Sequence, residues 1–452
     1  MLRKERIARS PHKTPMWTYY PELLETPVPR YTSYPTAAEF TGEVGADDYA
    51  AALGQVGGEV SLYVHIPFCE KICWYCGCNT SVANRRERIA AYLEALHHEI
   101  HMVARALPAP VQVSSVAFGG GSPNAITPTD FVRLVQVLTV EFGMVAPQWS
   151  IELDPRSLTP AWQQTLAGVG VTRASLGVQT FAPQLQRAIG RIQPDADIVR
   201  SADQLRTSGV TSLNFDLMYG LPGQTLADLE ASLARSVELG ADRIALFGYA
   251  HVPHMIARQR KIDDAALPDA RARFAMAGFG HSYLAGCGYV PVGFDHFARP
   301  GDPLAQAAVS GRLHRNFQGF TEDAAPVTLG FGASAISDFP ELIAQNEKNA
   351  GRYRMLLSQD RFPTNKGVRR SPDDRRHGAV IEALLCRGRA RLDADLLREA
   401  LTGLDPFMAR GLCSFVEGEL VLAADGLPYA RSIAALFDPY RHQTTRRFSS
   451  AI

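Results

Sequence analysis

Two hydrophobic periods alternate along the first 250 or so residues of the chain. SLYVHIP (Ser61–Pro67) repeats every second residue and is β-branched and aromatic, which predicts a strand. RRERIAAYLEALHHEIHMVARAL (Arg85–Leu107) carries its apolar residues at helical spacing. The pair then recurs. VSSVAFGGG (Val113–Gly121) predicts a strand ending in glycines, followed by a helix with Thr127 as N-cap and Pro128 at its first position. WSIELDP (Trp149–Pro155) precedes a helix from about Pro160, and RASLGVQ (Arg173–Gln179) precedes the helical DADIVRSADQLRTSG. SLNFDLMYG (Ser212–Gly220) precedes TLADLEASLARSVELG, and RIALFGYA (Arg243–Ala250) supplies a sixth strand.

Six strand–helix units require parallel strands joined by right-handed crossovers. Six falls short of the eight that close a full barrel. The expected fold is therefore α/β, a partial, open (β/α)6 TIM-like barrel. The C-terminal strand ends of such a barrel form its active rim. That rim gathers a cysteine loop after the first strand, Gly119–Gly121 after the second and Glu152 with Asp154 after the third. Gln179, Asp216, and Tyr249 with Ala250 follow the remaining three. Beyond about Leu267 the rhythm fades, and from about Ser371 the chain reads as mainly helical with a short ELVLA strand (Glu419–Ala423). The expected organisation is an N-terminal extension (1–60), the barrel (61–290), a substrate-region or linking segment (291–360) and a helical, winged-helix-like C-terminal domain (361–452).

Composition narrows the class. The 452 residues hold 46 basic and 46 acidic side chains, a zero net charge that argues against a global nucleic-acid binder. Only six of the basic residues are lysines, the rest arginines, which suit bidentate carboxylate recognition. No apolar run approaches the roughly eighteen residues of a membrane span. The N-terminal MLRKERIARSPHKTP lacks the apolar stretch of a secretory signal, so a cytoplasmic protein is expected.

Seven cysteines include four within ten residues, Cys69, Cys73, Cys76 and Cys78 in FCEKICWYCGCNT. So tight a group closes no long loop, which excludes a secreted disulfide framework. Zinc usually takes two separated pairs, and no second pair exists. A CxxC redox motif carries no further cysteine on each flank. An iron–sulfur cluster remains. In CxxxCxxC, Cys69, Cys73 and Cys76 wrap one [4Fe–4S] cube and leave one iron open to bind a substrate or cofactor. Cys78 reads as a supporting thiol, and the isolated Cys287, Cys386 and Cys413 as small buried hydrophobes.

YVHIPFCEKICWYCGC, GGGSPN, GVQTF and DLMYGLPGQT resemble the radical S-adenosylmethionine (SAM) superfamily. With PRYTSYPTA (Pro29–Ala37), Cys78, FDHFARP (Phe294–Pro300), GRLHRNFQGFT (Gly311–Thr321) and the terminal RRFSSAI, the chain resembles, nearly end to end, the oxygen-independent coproporphyrinogen III dehydrogenase family. The resemblance implies that SAM chelates the open iron and that one low-potential electron releases a 5′-deoxyadenosyl radical. The radical then removes a hydrogen atom from the β-carbon of a propionate. Loss of CO2 and a further electron leaves a vinyl group, and two such events give protoporphyrinogen IX in haem biosynthesis. A low-potential electron donor and a monomeric enzyme are expected.

Carried over by position, the resemblance assigns Tyr63, Gly120, Glu152 and Ile336 to one SAM molecule. It assigns Tyr75, Gly121, Ser122, Gln179, Arg191, Asp216 and Ala250 to a second, and Phe317 and Gln318 to the substrate region. Arg30, Arg299, Arg312 and Arg315 are candidate partners of the propionates. Plainer readings stand beside these: Glu152 or Asp154 caps the next helix or pairs with Arg156, the better reading for Asp154, and His65, His251 and His254 near the rim are left unassigned, a lone histidine being more often a core group than a ligand. GGGSPN departs from the family's GGGTPT, and LLCRGRARLD is two residues longer than its pattern. Two other functions share the fold, a haem chaperone that binds haem without decarboxylation and a ring-opening methyltransferase acting on haem. Cys78, the long segment before the motif and HRNFQG favour the dehydrogenase.

Overall fold

A computed structural model describes residues 17–83 and 85–443; the terminal RRFSSAI lies outside the described residues. Six strands stand side by side in chain order: β1 (Glu59–Ile66), β2 (Gln112–Gly120), β3 (Gln148–Leu153), β4 (Arg173–Gln179), β5 (Ser212–Tyr219) and β6 (Arg243–Gly248). Each pairs with the next in parallel. The crossovers carry α1 (Arg86–Ala106), α2 (Pro128–Phe142), α3 (Pro160–Val169), α4 (Asp195–Thr207) and α5 (Leu226–Glu238). Thr127 caps α2 by accepting from the Asp130 N–H at 3.1 Å, and Thr225 with Asp228 forms a capping box on α5.

Alternation along each strand divides the molecule. Leu62, Val64, Val116, Phe118, Ile151, Leu153, Leu176, Leu213, Phe215 and Leu217 are buried and join the main hydrophobic core. The residues between them, Ser61, Tyr63, Ser115, Ser150, Glu152, Ser175, Asn214 and Asp216, line one cavity of about 320 Å³. A flat sheet could not bring residues of β1, β3 and β5 around one space, so the sheet curls into a partial barrel with a polar lumen. This is the expected (β/α)6 architecture.

The sheet is wider than the pattern predicted. Beyond β6 lie the antiparallel strands β7 (Val290–Val292) and β8 (His296–Ala298), with β8 next to β6. On the other side β9 (Val327–Phe331) runs parallel to β1. The antiparallel β10 (Ile336–Phe339), β11 (Leu342–Asn346) and β12 (Thr364–Arg369) continue outward to make twelve strands. The stretch 291–360, expected as a substrate-region or linking segment, supplies strands at both edges of the sheet. These strands run to only three to six residues, and LIAQN in β11 is buried at every position, so no alternation marks it.

The barrel is followed by α6 (Ala270–Gly286), and the chain ends with α7 (Pro372–Arg387), the strand Arg389–Arg391, α8 (Ala394–Met408) and the hairpin Cys413–Val416 with Glu419–Leu422. The N-terminal segment straps this region to the barrel. Tyr31 and Tyr34 hydroxyls donate to the buried Asp438 at 2.9 and 3.3 Å, and the Tyr20 N–H donates to the Tyr429 hydroxyl at 2.9 Å.

Candidate active site

The cysteine loop leaves the C-terminal end of β1 and is pinned at several points. Phe68–Cys69 pairs with Ser81–Val82, the Trp74 N–H donates to the Ile189 carbonyl at 3.0 Å, and Gln259 Nε2 donates to the Tyr75 carbonyl at 2.9 Å. Glycine allows this approach. A Cβ on Gly121 would lie 2.4 Å from the Phe68 carbonyl oxygen, and one on Gly120, whose φ is +109°, would lie 2.5 Å from the His65 ring.

Cys73 is buried, while Cys69 and Cys76 are partly open. Arg191 Nη1 donates to Cys73 Sγ at 3.2 Å and Arg156 Nη2 approaches the same sulfur at 3.7 Å. Arg191 is itself aimed by the Gly177 carbonyl and Gln193 Oε1. The Cys78 thiol and its N–H both donate to Cys76 Sγ, which pulls the Cys76 thiol down to about 6. Cys78 is thus a hydrogen-bond partner of Cys76. Among the described residues no three His, Cys, Asp or Glu side chains converge as a single metal ion would require. A [4Fe–4S] cube instead carries its thiolates on separate irons, and three thiols, one of them approached by two guanidinium groups, fit that soft, anionic centre.

Above the loop a second cavity of about 300 Å³ is lined by Tyr63, His65, Cys78, Gly120, Glu152, Phe317, Gln318 and Ile336, among others. Every residue assigned to the first SAM molecule and both substrate-region residues therefore meet at one place. Tyr63 is positioned by His65, whose Nδ1 lies 3.0 Å from the phenol and whose Nε2 lies 3.2 Å from the Asn79 carbonyl. Burial and the charge of Asp216 push the Glu152 carboxyl up to about 7, against the Gly120 N–H donating to it at 3.3 Å.

The residues assigned to a second SAM are more dispersed. Asp216 faces the lumen and accepts from Ser175 Oγ at 2.9 Å and Asn214 Nδ2 at 2.8 Å. Gln179 ends β4 at a register shift with φ +67°, a strained backbone of the kind that clusters at functional sites. Tyr75 packs beside Trp74 against the Leu185–Ile189 cluster. Ser122 is buried, donating to Asn124 Oδ1 and accepting from the Asp154 N–H at 3.1 Å. Ala250 lines a separate, smaller cavity. Asp154 behaves as its plainer reading expected, capping the Pro155–Ser157 turn and pairing with Arg156 at 2.6 Å.

None of the four candidate arginines lines the cavity above the cysteine loop. Arg299 donates to the Ala241 carbonyl at the opposite end of the barrel, and Arg312 is exposed beside Ser310. Sequence reasoning missed Arg156 at Cys73, and Asn316, Ser334 and Asp338 in the upper cavity. The cavity residues sit in short strands and turns without periodicity, so no local signal marked them.

A model of the radical SAM superfamily matches residues 63–235. An oxygen-independent coproporphyrinogen III oxidase of Bradyrhizobium diazoefficiens is 40% identical over 440 residues, covering 95% of this chain and 98% of its own. The Escherichia coli protein of the same name is 38% identical over 441 residues, covering 94% and 96%. A solved structure titled as the E. coli coproporphyrinogen III oxidase (HemN), a radical SAM enzyme, superposes with a TM-score of 0.86 at 38% identity over 91% of this chain and 97% of that one. A thiol-bearing loop at the rim of a partial barrel, continued by near full-length likeness, has one reading: the chain belongs to the oxygen-independent coproporphyrinogen III oxidase family of radical SAM proteins.

Proposed function

We propose that the chain oxidatively decarboxylates two propionates of coproporphyrinogen III to vinyl groups without oxygen, giving protoporphyrinogen IX for haem synthesis. The observation that carries this is the cavity in which Tyr63, Gly120, Glu152 and Ile336 meet Phe317 and Gln318 beside Cys78 of the cysteine loop. When bound, a [4Fe–4S] cluster and SAM supply a 5′-deoxyadenosyl radical at the cost of one electron.

Cys69, Cys73 and Cys76 are the three ligands, and Arg191 and Arg156 offset thiolate charge at Cys73. Glu152, held near neutrality, accepts from an ammonium or ribose hydroxyl, and Tyr63 is fixed by His65. Asp216, Gln179 and Arg191 sit where a second SAM would lie against the lumen and loop. Phe317 and Gln318 close the cavity on the substrate side. A low-potential donor supplies electrons, and the enzyme acts as a monomer. The relatives' shared name lends no support to a haem chaperone. No helix among the described residues is long and apolar enough to cross a membrane.

The test is anaerobic reconstitution with iron and sulfide, then incubation with reductant, SAM and coproporphyrinogen III. Methionine, 5′-deoxyadenosine, CO2 and protoporphyrinogen are expected. Formation of 5′-deoxyadenosine with the porphyrinogen left intact would overturn the substrate.

A further inference from the structure

A small cavity lies beside the lumen, with Phe247 in the wall of both. Three guanidinium groups line it from three parts of the chain: Arg30 from the N-terminal segment, Arg273 from α6 and Arg431 from the Ala430–Ala434 helix. Among the described residues none of the three pairs with a carboxylate. Arg30 donates to the Gly248 carbonyl at 3.1 Å and Arg273 to the Tyr249 carbonyl at 2.8 Å, while Arg273 Nε is buried with no partner. Arg431 rests over the Phe294 ring at 5.4 Å. The one carboxylate among the described lining residues, Asp295, is taken up by His296 Nδ1 at 2.6 Å.

The three cations share this cavity with the single carboxylate of Asp295, an excess of positive charge that is costly to enclose. Burial and the charge of Arg30 push the Arg431 guanidinium down to about 10. The free space is about 60 Å³, where about 10–15 Å³ on the same measure holds one water, so there is room for a carboxylate. Its lining shares no residue with the cavity above the cysteine loop, which sets a group bound here apart from that cavity, and it includes Ala250, which the resemblance assigns to a second SAM.

We propose that Arg30, Arg273 and Arg431 form a carboxylate subsite that seats a propionate the reaction leaves intact, and so fixes which propionate reaches the rim cavity. This rests on the function proposed above. Steady-state kinetics of the reconstituted holoenzyme test it with Arg431→Gln and Arg273→Gln. KM for coproporphyrinogen III should rise about tenfold or more, the range for losing a charged hydrogen bond. kcat should stay within about twofold, with an unchanged cluster absorption spectrum. A porphyrinogen methyl-esterified on the retained propionates should bind less well to wild type, while Arg431→Gln should no longer distinguish ester from acid. An unchanged KM in both variants, a fall in kcat alone, or an equal ester penalty in wild type and variant would overturn the subsite. If the wild type itself leaves the porphyrinogen intact, the functional proposal fails first; normal wild-type turnover with unaltered variants refutes the subsite alone.

Discussion

Cys73 is the most enclosed thiol of its loop and the one that both Arg191 and Arg156 approach. Cys73→Ala should leave reconstituted protein without cluster absorption and with iron near background, and 5′-deoxyadenosine should fall below detection. The sequence made this residue visible because spacing alone carries the chemistry of a thiolate triplet. Glu152 and Asp216 were visible as carboxylates interrupting apolar strands. Their surroundings were not: Ser175 and Asn214 satisfy Asp216 across two neighbouring strands, and Asp216 in turn raises Glu152 from two strands away. Arg273 and Arg431 lie far apart in the chain, and only the docking of the last helices on the barrel brings them together.

At the scale of elements, the end of β2 and the cysteine loop form one fitted unit. Gly121→Ala should push the loop away from β2, because its Cβ would meet backbone that cannot rotate aside. The variant should retain the helical circular dichroism of wild type while incorporating less than about half the iron, measured per chain after reconstitution. A second element-level device sits on α1. The buried Glu99 accepts from the Gly332 N–H at 2.7 Å, Asn346 Nδ2 at 2.6 Å and the Tyr353 hydroxyl at 2.6 Å, tying α1 to the turns around β9–β11. Burial still pushes its carboxyl up to about 7. The folded state therefore holds this proton more tightly than the unfolded chain. The group's stabilising contribution is full in acid and is lost as pH rises to about 7, a change of up to about 3 kcal/mol. Guanidinium midpoints between about pH 5 and about pH 8 should fall less steeply in Glu99→Gln than in wild type. The helices and parallel strands were legible because each runs long enough to show its period; β7 to β12 were not, being short and, in β11, buried at every position so that no alternation shows.

Across the whole molecule, the two ends of the chain meet. Asp438 takes hydroxyls from Tyr31 and Tyr34, which lie in the segment that also carries Arg30. Asp438→Leu should strand both hydroxyls and lower stability by about 1–3 kcal/mol, read from the denaturant midpoint of the loaded enzyme. No sequence pattern announces such a meeting, since it joins residues some four hundred positions apart. The curled sheet has a consequence of a different kind. Odd and even positions along one strand answer to separate demands, one to solvent-excluding cohesion and the other to the guest. A relative adapted to another guest would accordingly change Ser61, Ser115, Ser150 and Ser175 long before it changed Leu62, Val116, Ile151 and Leu176, and could do so without relearning how to fold.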